Sequence, residues 1–161
     1  MYNMKKFGGT FKGLIGECLF KFVQKKVYLS SFHNIKHVLR KIEEEYSFST
    51  EQKTFISRNY SSIDAIELSK KPIIYEIKTR NAQHSNQFKI NITNNSIKIL
   101  QDAKKLGFEV RLVEILLHSN WNFDCKISDF TYPNHKLRVQ FKNRYDKLDK
   151  KYITKTNFIK T

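Results

Sequence analysis

Two short β-branched stretches separated by a four-residue break constrain this chain more than any other feature. Ile63-Asp64-Ala65-Ile66-Glu67-Leu68 and Ile73-Ile74-Tyr75-Glu76-Ile77-Lys78-Thr79 flank Ser69-Lys70-Lys71-Pro72. Alternating apolar and polar residues predict two strands, and the Ser-Lys-Lys-Pro break predicts the turn of a hairpin. Side chains two apart on a strand share a face. Ile74, Glu76 and Lys78 are therefore expected on one side, with Ile73, Tyr75 and Ile77 on the other. Asp64 falls near the middle of the first stretch, so antiparallel pairing is expected to bring its carboxylate close to Glu76. Two carboxylates and an ammonium converging on a sheet suit a hard divalent cation. Mg²⁺ is held by one or two carboxylates plus substrate phosphate, and an amine beside it can steady a nucleophilic water.

These residues resemble the signature of the PD-(D/E)xK nuclease superfamily, in which an Asp is followed across a hairpin by Glu-x-Lys. Here they are Asp64 and Glu76-Ile77-Lys78, with Ile63 where the family name has Pro. Gly13-Leu14-Ile15-Gly16-Glu17 is similar to the Gly-x-x-x-Glu pattern of the Holliday-junction-resolvase-like branch. The resemblance spans roughly residues 10–118 by order of elements. It implies an α/β fold with a restriction-endonuclease-like core: a central mixed four- to five-stranded sheet flanked by helices in αβββαβ order, with an extra N-terminal helix. It also implies a metal-dependent DNA endonuclease using Mg²⁺, with Mn²⁺ as substitute, and in-line hydrolysis leaving 5′-phosphate ends. Asp64, Glu76, the Ile77 carbonyl and Glu17 would be metal ligands, and Lys78 the catalytic lysine. Junction resolution needs a homodimer with two facing sites, whereas restriction- or repair-type enzymes leave other geometries open.

The residues also carry plainer readings. Glu17 lies one helical turn from Lys21, and such a surface pair contributes a few tenths of a kcal/mol at most. The Asp64–Glu76–Lys78 group has the alternative of a buried ion-pair cluster or an exposed sheet face. Unpaired charges in a core cost several kcal/mol, which argues for a use.

Around the hairpin, Phe11, Leu14, Ile15, Cys18, Leu19, Phe22 and Val23 recur at helical spacing after a possible Thr10 N-cap. Ile35, Val38, Leu39, Ile42 and Tyr46 predict a second helix ending in the solvated acids Glu43, Glu44 and Glu45. Ser47 to Lys53 reads as a loop, and Thr54 to Tyr60 as a strand. After Lys78 the polar stretch Thr79 to Gln87 offers Arg80, Gln83 and Gln87 for phosphate contact. His84 there is a candidate base whose plainer identity is a solvent-exposed loop histidine. Gln87 to Thr93 reads as extended. Thr93 or Asn94 then caps a helix through Ile97, Leu100, Ala103 and Leu106 that Gly107 stops. Phe108 to His118 is a buried strand, so strand–helix–strand predicts a parallel crossover. Glu114 within it reads as structural, and beyond Ser119 Trp121, Phe123, Ile127 and Phe130 are left to close the core.

A chain of 161 residues predicts one domain. It divides into a nuclease-like body at 1–135 and a basic C-terminal extension of the same domain at 136–161. In that extension Lys142 and Arg144 stand among aromatics, a pattern that suits backbone contact and base stacking as well as it suits a solvated tail. Lys12 is a further candidate for DNA contact. The formal charge of +15 points to a polyanionic partner, nucleic acid before an acidic membrane surface. No apolar run of about eighteen residues is present, so no membrane span is expected. Cys18 and Cys125 lie far apart without a Cys-x-x-Cys, which predicts a reduced, cytoplasmic protein without a zinc site. The rival from another class is a non-catalytic nucleic-acid-binding protein on a nuclease-like fold. An RNA-directed role ranks behind both.

Overall fold

The computed structural model describes residues 4–81, 89–118, 122–130, 138–140, 145–149 and 156–160, with side chains over 11–81, 92–118 and 122–130. Helix α1 (Met4–Val23) leads into a short strand β1 (Val27–Leu29), then helices α2 (Ile35–Glu45) and α3 (Thr50–Asn59) and a 3₁₀ turn at Tyr60–Ser62. The hairpin follows as β2 (Ala65–Glu67) and β3 (Ile73–Asn81). Next come β4 (Lys89–Thr93), α4 (Asn94–Lys105), β5 (Glu109–Leu117) and β6 (Phe123–Asp129). The last strands are β7 (Arg138–Gln140), β8 (Tyr145–Asp149) and β9 (Thr156–Lys160).

The class is α/β, with a mixed six-stranded sheet in the order β1-β2-β3-β5-β6-β9 and a second sheet β4-β8-β7. The main sheet has one strand more than the four to five expected. The addition comes from the chain's end, where β9 pairs antiparallel with β6. As the strand–helix–strand pattern predicted, β3 and β5 run parallel, from Ile73↔Glu109 to Asn81↔Leu117. Thr93 caps α4 by accepting from the Ser96 amide, and Gly107 leaves the helix at φ +87, in the left-handed region that glycine enters without strain.

Three expectations are corrected. Residues 54–60 are not a strand: Ser49 and Gln52 form a capping box that starts α3 at Thr50, inside the expected 47–53 loop, with Phe55 and Ile56 buried one turn on. The first strand is instead Val27–Leu29, three residues too short to show periodicity. Helix α1 starts at Met4, so Thr10 lies within it. The buried face of α1 also differs from the apolar stripe read from spacing, since Phe20 is buried while Phe11 and Phe22 are 65% and 71% exposed. The reason is Gly16, where a methyl would overlap the Thr79 side chain. The helix settles onto β3 through this glycine and through Phe20, whose ring lies 4.9 Å from that of Tyr75, which turns Phe11 and Phe22 outward.

The sheet separates two apolar layers. On one face Ile66, Ile74, Val110 and Leu112 pack with Val38, Ile42, Phe55, Ile56 and Leu100 from α2, α3 and α4. On the other, Ala65, Tyr75, Ile77, Val113 and Ile115 pack with Phe20 of α1. Phe123 and Phe130 are buried, Ile127 is partly buried, and Trp121 lies outside the described residues. Among the described residues, no helix is long and apolar enough to cross a membrane.

Candidate active site

Strand β2 is only three residues long and covers Ile73 to Tyr75 of β3, leaving β3 from Glu76 onward without a described strand on that side. Asp64 stands just outside β2, not in mid-strand as expected. Continuing the register Ala65↔Tyr75 by one step sets it opposite Glu76. Its Oδ2 accepts the Ile77 N–H at 2.6 Å, so the carboxylate takes over the ladder where the strand stops. In an extended strand the N–H and C=O of one residue face the same edge, which turns the Ile77 carbonyl toward Asp64 as well. The backbone at Asp64 is tied to the end of β1: the Ser30 amide donates to the Asp64 carbonyl at 3.0 Å, and the Ser30 hydroxyl donates to the Ile63 carbonyl.

Glu76 follows Ile74 on the face that bears the larger core and is 3% exposed. Lys78 bonds to it, Nζ to Oε1 at 2.6 Å, from a side chain 36% exposed. Burial, and next the charge of Asp64, raise the Glu76 carboxyl from the ordinary 4.5 to about 7 against the opposing effect of Lys78. Asp64 is raised chiefly by burial, while the Lys78 ammonium and the Ile77 N–H pull it back. Glu17 reaches this edge from α1, one residue past the Gly16–Thr79 contact. It does not take Lys21: the Ser31 hydroxyl, just after β1, donates to its Oε2, and Lys21 turns to the carbonyls of Lys25 and Val27. Burial raises the Glu17 carboxyl, the Ser31 hydrogen bond lowers it, and the charges of Asp64 and Lys78 act on it in opposite directions. Asp64 and Lys78 thus lie within electrostatic reach of both Glu17 and Glu76.

Hard oxygen donors of this kind fit Mg²⁺ or Mn²⁺, and carboxyls raised by burial and mutual repulsion are relieved by a cation. Each carboxylate meanwhile has a protein partner. Among the described residues no three His, Cys, Asp or Glu side chains converge as a finished ligand set.

The remaining candidates are dispersed. Arg80 turns to the carboxylate of Glu114 on β5. Lys12 lies on α1, partly buried, five residues before Glu17. Gln83, His84, Gln87, Lys142 and Arg144 lie outside the described side chains. Ser30 and Ser31 were missed, because a three-residue strand between helices reads as a loop. No protein-family model matches the chain, and no curated protein matches its sequence.

Proposed function

We propose that the chain is a metal-dependent DNA endonuclease built like the PD-(D/E)xK nucleases. The observation that carries this is Asp64 closing the ladder on Ile77 beside a buried Glu76 that holds Lys78. Asp64, Glu76, the Ile77 carbonyl and Glu17 would hold Mg²⁺ or Mn²⁺. When bound, such an ion supplies Lewis-acid polarisation of a phosphoryl oxygen and a more acidic water. The chain's own contribution is positional and electrostatic. Lys78 brings an ammonium to the edge where the acids meet, which offsets charge growing on a phosphorane. Ser31 orients Glu17, and Ser30 fixes the backbone that carries Asp64. The charge of +15 draws a phosphodiester polymer toward this patch of acids. Four-way and other branched DNA are the structured substrates to try first.

The test is cleavage of supercoiled plasmid and branched DNA with Mg²⁺ or Mn²⁺. Asp64→Asn and Glu76→Gln are expected to lower the rate by at least about a hundredfold, the scale of one lost electrostatic contact to the reacting group. Equal cleavage by wild type and both variants rejects the assignment. A second reading, a non-catalytic nucleic-acid-binding protein, draws on the Glu76–Lys78 ion pair, which satisfies the carboxylate without a metal ion. It predicts salt-sensitive binding, indifferent to metal, with no product.

A further inference from the structure

The charged face of β3 does not end at Lys78. Lys78 is in register with Glu114 of β5, and Glu114 with Lys126 of β6. Residues paired across a ladder project to the same side, so these three form a line across the sheet, neighbours about 5 Å apart. Arg80 lies two residues beyond Lys78 on the same face and pairs with Glu114, while Lys126 Nζ stands 4.0 Å from the other oxygen of that carboxylate. Glu114 is 3% exposed, and the Arg80 and Lys126 side chains are 21% and 11% exposed. Apolar residues of similar volume would stabilise such positions at least as well. One carboxylate between two cations gives this trio a formal charge of +1. At the opposite end of the row lie Asp64 and Glu76, with Glu17 approaching the same sheet edge from α1 on the other side. The face is therefore polarised, with Asp64 and Glu76 at one end and held cations about 13 Å further along, the rise of four strand residues from Glu76 to Arg80.

We infer that Arg80 and Lys126 form a subsite for a backbone phosphate beyond the scissile one on the same strand, with Glu114 as the positioning residue that keeps both cations in place. The inference rests on the reading that this face takes a polynucleotide, and it names which side chains grip the strand beyond the cleavage point. It gives Glu114 a task opposite in sign to ordinary electrostatics. Removing a carboxylate from a protein that binds a polyanion raises the net charge and should tighten binding. Removing this one releases the two cations from their shared anchor and should loosen it.

The experiment measures DNA affinity against salt in EDTA, so that cleavage plays no part. Arg80→Gln and Lys126→Gln are each expected to weaken binding about three- to tenfold and to reduce the log–log salt slope by about 1. Glu114→Gln is expected to weaken binding to a similar degree, and to add little in the Arg80→Gln background. Asp102→Asn, at an exposed carboxylate paired with Lys105, serves as the control and should bind as tightly as wild type or tighter. Glu114→Gln binding as tightly as wild type or better overturns the inference. Circular dichroism checks folding. Should Glu114→Gln unfold, the Arg80→Gln and Lys126→Gln slopes decide, and unchanged slopes overturn it. Absence of any salt-sensitive binding by wild type overturns it too. Binding that follows the expected pattern without any cleavage keeps the subsite and rejects only the nuclease reading.

Discussion

At Glu76 three effects compete: burial and the Asp64 charge favour the neutral carboxyl, and Lys78 favours the anion. The first two win, with the folded-state value near 7 against an ordinary 4.5. Between these values the folded chain keeps a proton that the unfolded chain has lost. Stability from this group is therefore complete below about 4.5 and declines as pH rises toward 7. At 1.36 kcal/mol per pKa unit the loss is on the order of 3 kcal/mol. Urea midpoints at pH 5 and pH 8 should differ in wild type and differ less in Glu76→Gln, where Asp64 and Glu17 keep their own raised carboxyls; an equal midpoint difference in the two proteins contradicts the assignment. A cation that binds the ionised pair should reverse the trend. Added Mn²⁺ is expected to raise the midpoint at pH 8 and to do little at pH 5, the result of binding only the deprotonated folded state. Asp64, Glu76 and Lys78 were all legible from alternation and hairpin distance. That Asp64 sits outside the strand and bonds to a backbone amide was not, because residue patterns do not say where a ladder of three pairs will stop.

Among the elements, α1 decides whether Glu17 joins the acids. Gly16 lets the helix backbone approach β3, and a Cβ there would lie 2.9 Å from the Thr79 Cβ and closer still to its hydroxyl. Gly16→Ala should therefore push α1 off the sheet. Overpacking costs typically about 1–3 kcal/mol, and the displacement of Glu17 should weaken Mn²⁺ affinity as well. Gly13→Ala, which meets nothing within 4 Å, is the matched control and should be neutral or slightly stabilising. Calorimetric titration with Mn²⁺ and a denaturation curve for each variant separate the two. Thr93→Ala should cost about 1 kcal/mol through the lost α4 cap, readable in the same curves. Helix α4 was visible in the sequence from its cap to its terminal glycine. Helix α3 was misread because Phe55-Ile56 looks extended over a short window, although Ser49-x-x-Gln52 held the signal for a helix start.

For the whole molecule, charge and topology act on different quantities. The excess of 30 Lys and Arg over 15 Asp and Glu would set the affinity for a polyanion and how salt weakens it. Wild type is expected to bind DNA with a log–log salt slope steeper than about −3, which corresponds to three or more neutralised phosphates; a flat dependence measured by fluorescence anisotropy contradicts that. Topology sets where the charge is useful. A parallel β3–β5 pair in mid-sheet, with β2 stopping short on one side, leaves one face that is apolar beneath α2, α3 and α4 and charged beyond Glu76. The end of the chain, which fitted a solvated tail as readily as a contact segment, supplies β7, β8 and β9 to the two sheets. From the sequence alone came the hairpin with its two faces, the parallel crossover and the trio Asp64, Glu76 and Lys78, because local periodicity and turn chemistry act over a few residues; the α/β class came with the family resemblance that those residues carry. Only the tertiary structure decided the outcome for Glu17, Ser30, Ser31, Glu114 and Lys126. Each meets its partner across a contact between elements distant in sequence, and no local pattern encodes such a contact.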